Sequence, residues 1–188
     1  MSQSKIEIRN AVEFRAIGDE NSRKISGYLV RFNTPSVDIG FTEYVDPHAF
    51  DGVDMSKVQL LYNHDPGNIL ARVDSNTLSL SVDDRGLLFS AEMPQTTLGN
   101  DTLENIRNGN LKGCSFGFTV ASDDWTYADS GDIRRILQID QLFEGSITPI
   151  PAYPDTSVAL AARNSVRKSN SQKRLSLLRL TEIENEEF

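Results

Sequence analysis

Apolar and polar residues alternate along much of this chain, and the alternation predicts a succession of short strands. Ile6-Glu7-Ile8 and Val12-Glu13-Phe14 set the habit, and residues 24–30 repeat it after the turn-rich Gly18-Asp19-Glu20-Asn21. A period of two marks a half-buried strand, so these runs predict a two-strand meander. Pro35 breaks the pattern, residues 41–45 resume it, and Asp46-Pro47-His48-Ala49-Phe50 reads as a turn entering a short helix, with Asp46 as cap and Pro47 in the first turn. Residues 58–62 are largely apolar, as in a central strand, and end at Asn63-His64-Asp65-Pro66-Gly67, a junction between strand and loop. Strands are predicted over 69–73, 77–82 and 87–92, the last two joined by the hairpin turn Asp83-Asp84-Arg85-Gly86.

After Met93-Pro94 the period changes. Leu98, Leu103 and Ile106 share a helical face, Asn100 or Thr97 can cap its start, and Gly109 can end it. The helix delivers the chain to Gly113-Cys114-Ser115-Phe116-Gly117-Phe118, a strand expected to run to Val120 before a polar loop over 123–132. Alternation is expected to set Ser115 on the face of Gly113 and opposite Cys114 and Gly117, with Phe116 and Phe118 anchoring the strand by one face. Extended runs over 134–139 and 142–147 follow, and the proline-punctuated segment 148–154 closes the domain. So many short strands with little helix predict a mainly β fold with a few helices, a barrel or a sandwich.

The 188 residues suit one domain with appendages. The division expected is a domain over 1–162 and a charged tail over 163–188, helical or disordered, where Arg167, Lys168, Lys173, Arg174 and Arg179 precede Glu182, Glu184, Glu186 and Glu187. A net charge of −8 speaks against a dedicated nucleic-acid surface. Cys114 is the only cysteine, which excludes an internal disulfide and a thiolate zinc cluster and fits a reducing cytoplasm. No stretch reads as a signal peptide or a membrane span.

The chemistry on offer centres on Ser115. A serine becomes nucleophilic when a neutral imidazole takes its proton and a third group orients that imidazole. His48 and His64 are the two histidines. His64 is the better placed, at the end of an apolar strand, whereas His48 lies in a proline-containing turn. Glu144 suits the orienting acid because it interrupts the apolar run around Leu142, Phe143 and Ile147, where burial without a partner is costly. Asp65 is poorer, since neighbouring side chains on an extended segment point apart. Cys114 is an alternative nucleophile, but its apolar setting reads as packing. There is no HExxH, GxxxxGK or GxGxxG motif, so neither metal nor cofactor is expected.

Three segments together resemble the prohead, or capsid maturation, proteases of HK97-like tailed bacteriophages: Tyr62-Asn63-His64-Asp65, the Gly113 to Phe118 motif, and Leu142-Phe143-Glu144-Gly145-Ser146-Ile147-Thr148-Pro149-Ile150-Pro151-Ala152. Gly27-Tyr28-Leu29 with Phe32, the Pro47-His48-Ala49-Phe50 turn and the helix over 98–107 extend the likeness to residues 5–162. The resemblance implies a Ser-His-acid set at Ser115, His64 and Glu144, and leaves His48 out. It implies a serine endopeptidase acting inside the prohead in the host cytoplasm on the scaffolding region of the major capsid protein, and on itself. A catalytically inactive capsid-assembly or scaffold protein with the same barrel is the alternative. Through a distant similarity to herpesvirus assemblin proteases, it further implies a closed, orthogonally packed β-barrel and a homodimer; from the charge and the lack of a spanning stretch, neither nucleic acid nor membrane is expected as partner. Assemblins carry an arginine pair after the third triad member, whereas Arg134-Arg135 precedes Glu144 here, so the oxyanion donors stay unassigned.

Overall fold

The computed structural model describes residues 6–11, 14–17, 22–36, 39–129 and 131–149. The strands are β1 (Glu7–Ala11), β2 (Phe14–Ile17), β3 (Lys24–Arg31), β4 (Thr42–Val45), β5 (Gln59–Tyr62), β6 (Asp65–Arg72), β7 (Leu78–Asp83), β8 (Gly86–Glu92), β9 (Gly113–Thr126) and β10 (Ile133–Thr148), with the helix α1 (Thr97–Arg107) between β8 and β9. The boundary expected at 162 and the tail over 163–188 lie outside the described residues.

Two sheets form. One runs β1-β9-β10-β5-β6, with β4 also on β10, and the other runs β2-β3-β8-β7. The expected meander is thus split: β2 pairs with β3, while β1 pairs with β9 more than a hundred positions away. Leu87, Phe89 and Ala91 of β8, all at or below 2% exposure, show the period-two face that packs between the sheets with Ile25, Leu29 and Phe118. Close packing explains Gly145: a Cβ there would stand 2.6 Å from a Leu29 methyl of the opposite sheet.

The mainly β expectation holds, with corrections. Neither sheet closes among the described residues, so the structure shows two open sheets where a closed barrel was expected; an isolated bridge between Phe32 and Val45 links them at one corner. Strand periodicity says which residues face a core, and carries no information on which edges meet. Among the described residues there is one helix rather than several, for residues 47–50 are successive turns, in which Asp46 Oδ1 accepts from His48 N–H and the Asp46 carbonyl from Ala49 N–H. Thr96, rather than Thr97 or Asn100, caps α1 by accepting from Gly99 N–H at 3.1 Å. Gly109, at φ +70°, follows its end as expected.

Strand β9 runs six residues past Val120, because the polar stretch read as loop has partners: Asp123 accepts from Arg134 Nε at 2.6 Å and Trp125 packs on Phe41 with centroids 4.8 Å apart. Strand β10 is continuous over 16 residues and takes β4 and then β5 in parallel. Its length lets the strand that pairs with β9 at Ser115 also carry β5, and with it the His64 turn, on its other edge.

Candidate active site

His64 occupies a strained position that the rest of the site holds in place. It is the second residue of the two-residue turn between β5 and β6, where Asn63 and His64 have φ of 52° and 60°. A hairpin turn with both central φ values positive favours Asn-Gly. Asn63 fits that preference, whereas a histidine in the left-handed region costs roughly 1–2 kcal/mol. Asn63 N–H donates to the Ile147 carbonyl at 3.0 Å, and His64 N–H donates to Ser146 Oγ at 3.0 Å. Both anchors lie on β10.

The imidazole Nδ1 lies 2.8 Å from Glu144 Oε1. A carboxylate only accepts, so Nδ1 carries the proton, and in the neutral ring Nε2 is the free base. The other carboxylate oxygen, Oε2, accepts from Ser146 Oγ–H at 2.6 Å. Glu144 is 14% exposed and His64 25%, so the pair is largely withdrawn from water with one side open. Gly117 makes the room: a Cβ there would stand 2.7 Å from Glu144 Oε1.

Ser115 is fully buried on β9, in register with Ser146 on one side and Asn10 of β1 on the other. Cross-strand partners share a face and alternate positions along a strand do too, so Ser115, Gly117, Glu144 and Ser146 line one side of the sheet. This corrects the expected facing of Gly117, which is two positions from Ser115 and on its side. Cys114 points the other way as expected, fully buried with its thiol donating to the Tyr28 carbonyl. The Ser115 hydroxyl donates to the Arg9 carbonyl of β1 at 2.8 Å, and no hydrogen bond joins it to His64. The structure therefore brings His64 and Glu144 into contact and sets Ser115 on the same face of the sheet, one strand beyond Glu144, with its proton directed elsewhere.

His48 is remote from this group, 82% exposed and 3.0 Å from Asp51 Oδ2. Arg134 is held in a buried ion cluster with Glu7, Glu43 and Asp123, to which Arg9 also belongs. Burial alone would favour the neutral form of Arg134, but the hydrogen bonds and charge of Glu7, with Glu43 and Asp123, outweigh it and raise its pKa further. Its guanidinium is committed there, joining β1 to β4, β9 and β10. Ser146 is the site residue that sequence reasoning passed over. It stands two positions after Glu144 on a strand, and that spacing alone puts both side chains on one face.

A family model described as caudovirus prohead serine protease matches residues 10–172. The prohead protease of Enterobacteria phage HK97 is 28% identical over 152 residues, which cover 78% of this chain and 64% of that protein. The chain thus spans less than two thirds of the length of that relative. Among solved structures, the bacteriophage T4 capsid assembly protease superposes with a TM-score of 0.53 at 11% identity, covering 80% of this chain and 100% of the other. At that identity the likeness is one of fold alone.

Proposed function

The chain belongs to the caudovirus prohead serine protease family, and from that premise we propose that it is a serine endopeptidase with Ser115 as nucleophile, His64 as general base and Glu144 as orienting acid. The observation that carries the reading is the His64–Glu144 hydrogen bond, 2.8 Å long and on the Ser115 face of the sheet. With Nδ1–H held by Glu144, Nε2 takes the Ser115 proton as Oγ attacks a peptide carbonyl. The imidazolium, stabilised by the carboxylate, gives that proton to the leaving amine. Water then attacks the acyl enzyme by the same route and frees Ser115. For this the Ser115 hydroxyl leaves the Arg9 carbonyl by rotation about its Cα–Cβ bond.

The substrate proposed is the scaffolding region of the capsid protein, cut inside the assembling prohead in the host cell, with cleavage of the protease itself. Homodimerisation belongs to the same proposal and rests on the resemblance to assemblins. Co-expression of the cognate capsid protein with Ser115→Ala tests the assignment. Loss of the size reduction that the unaltered chain produces is expected, and continued processing by the mutant overturns it.

One observation favours the rival reading of a capsid-assembly protein that does not cut: the Ser115 hydroxyl donates to the Arg9 carbonyl and not to His64. A fluorophosphonate probe separates the two, because a non-catalytic protein shows no Ser115-dependent labelling.

A further inference from the structure

We propose that Ser146 is a positioning residue for the His64–Glu144 pair, an inference that rests on the reading of Ser115, His64 and Glu144 as the reacting set. Its hydroxyl is fully buried and used at both ends. The Oγ–H donates to Glu144 Oε2 at 2.6 Å, and the oxygen accepts the backbone N–H of His64 at 3.0 Å. These two bonds do different work.

The first fixes the plane of the carboxylate. A glutamate side chain turns about three single bonds, and an acid held through one oxygen alone is free to swing. With Oε2 bound by Ser146, Oε1 is left facing the His64 Nδ1–H. The second bond acts on the imidazole from behind. His64 sits in a left-handed backbone conformation that a histidine adopts at a cost, and Ser146 takes up the N–H that this turn presents. One hydroxyl thus sets the acid and the turn that carries the base, at a position in register with Ser115 on the adjacent strand. The same bonds speak against Ser146 as the nucleophile, since its proton is held by a carboxylate and its oxygen already accepts from a backbone N–H.

The test is the rate at which a fluorophosphonate labels the full chain, measured over probe concentration for the unaltered protein, Ser146→Ala, Ser146→Thr and Ser115→Ala, with thermal melting as the check on folding. Loss of a buried hydrogen bond to a charged group lowers the saturating labelling rate of Ser146→Ala about tenfold or more. The half-saturating probe concentration stays as it was, and Ser146→Thr, which keeps the hydroxyl, restores the rate. Melting alone could report a merely structural serine; the split between saturating rate and half-saturation, together with rescue by threonine, could not.

Labelling of Ser146→Ala at the unaltered rate, with Ser115→Ala silent, overturns the role of Ser146 and leaves the triad standing. Undiminished labelling of Ser115→Ala, or an adduct mapped to Ser146, overturns the triad reading and the Ser146 role with it. Should Ser146→Ala fail to fold, Ser146→Cys fills the same space with a weaker donor: slowed labelling supports the role, and labelling at the unaltered rate overturns it.

Discussion

His64 Nδ1 and Glu144 Oε1 meet at 2.8 Å although 80 positions separate them in the chain. The contact depends on β5 lying parallel to β10 with Glu144 opposite Gln59 and Ile147 opposite Tyr62. That register carries the turn after Tyr62 to the end of β10 and lets the imidazole reach back along the strand to the acid.

Glu144→Gln keeps the shape of the side chain and removes its charge, so the imidazolium loses its stabilising partner. Fluorophosphonate labelling and capsid-protein processing are expected to slow by about 10² to 10⁴-fold. His48→Asn, changed at an exposed histidine outside the site, is expected to leave both at the unaltered rate.

Two glycine substitutions separate activity from stability. In Gly117→Ala the new methyl meets Glu144 Oε1 at 2.7 Å, and the end of that side chain can move aside. Melting should therefore change little, while labelling of Ser115 falls because the acid has left Nδ1. In Gly145→Ala the methyl meets the Leu29 side chain at 2.6 Å inside the core between the sheets. Overpacking there costs about 1–3 kcal/mol, read as a lowered melting temperature.

The ion cluster gives stability a dependence on pH through Glu7. Burial alone would raise the pKa of Glu7, but hydrogen bonds and charge from Arg134 and Arg9 outweigh it and hold the value below the ordinary 4.5. A carboxyl with a depressed folded-state pKa adds stability that is complete above the unfolded-state value and is lost as pH falls through the folded one. Glu7→Gln should therefore melt lower than the unaltered chain near neutral pH, by about 1–3 kcal/mol for a lost charged hydrogen bond. The gap should close as the pH is taken well below 4.5. A gap that stays constant down to acid pH would show that the charge of Glu7 contributes nothing.

Cys114 tests the choice of nucleophile. It is fully buried and faces the opposite side of the sheet from Ser115. Iodoacetamide should leave the native protein unmodified, and Cys114→Ala should keep its fluorophosphonate labelling. Loss of labelling in a folded Cys114→Ala protein would move the nucleophile from Ser115.

The sequence was most legible where the physics is local. The strand at residues 58–62, the turn at 83–86, the helix after Thr97 and the pairing of a half-buried Glu144 with His64 all follow from periodicity, turn chemistry or the cost of an unpartnered carboxylate. What it concealed depends on distant partners. Residues 123–126 look like loop until Arg134 and Phe41 take up Asp123 and Trp125. Edge pairing is invisible in the same way, so the β1–β9 ladder and the openness of the sheets could not be read. The direction of the Ser115 hydroxyl is a single torsion, set by a carbonyl 106 positions upstream.

The separation of the site's parts along the chain also orders events during folding. The hairpin β7–β8 and helix α1 form from near neighbours, whereas β5 joins β10, and β1 joins β9, only after long loops close. Such pairings come late, because the entropy of closure must be met before the contacts exist. A nascent chain that has not yet extended to Glu144 has neither the acid nor the strand that grips the His64 turn. Whatever this face of the sheet does, it does only once nearly the whole described domain has assembled.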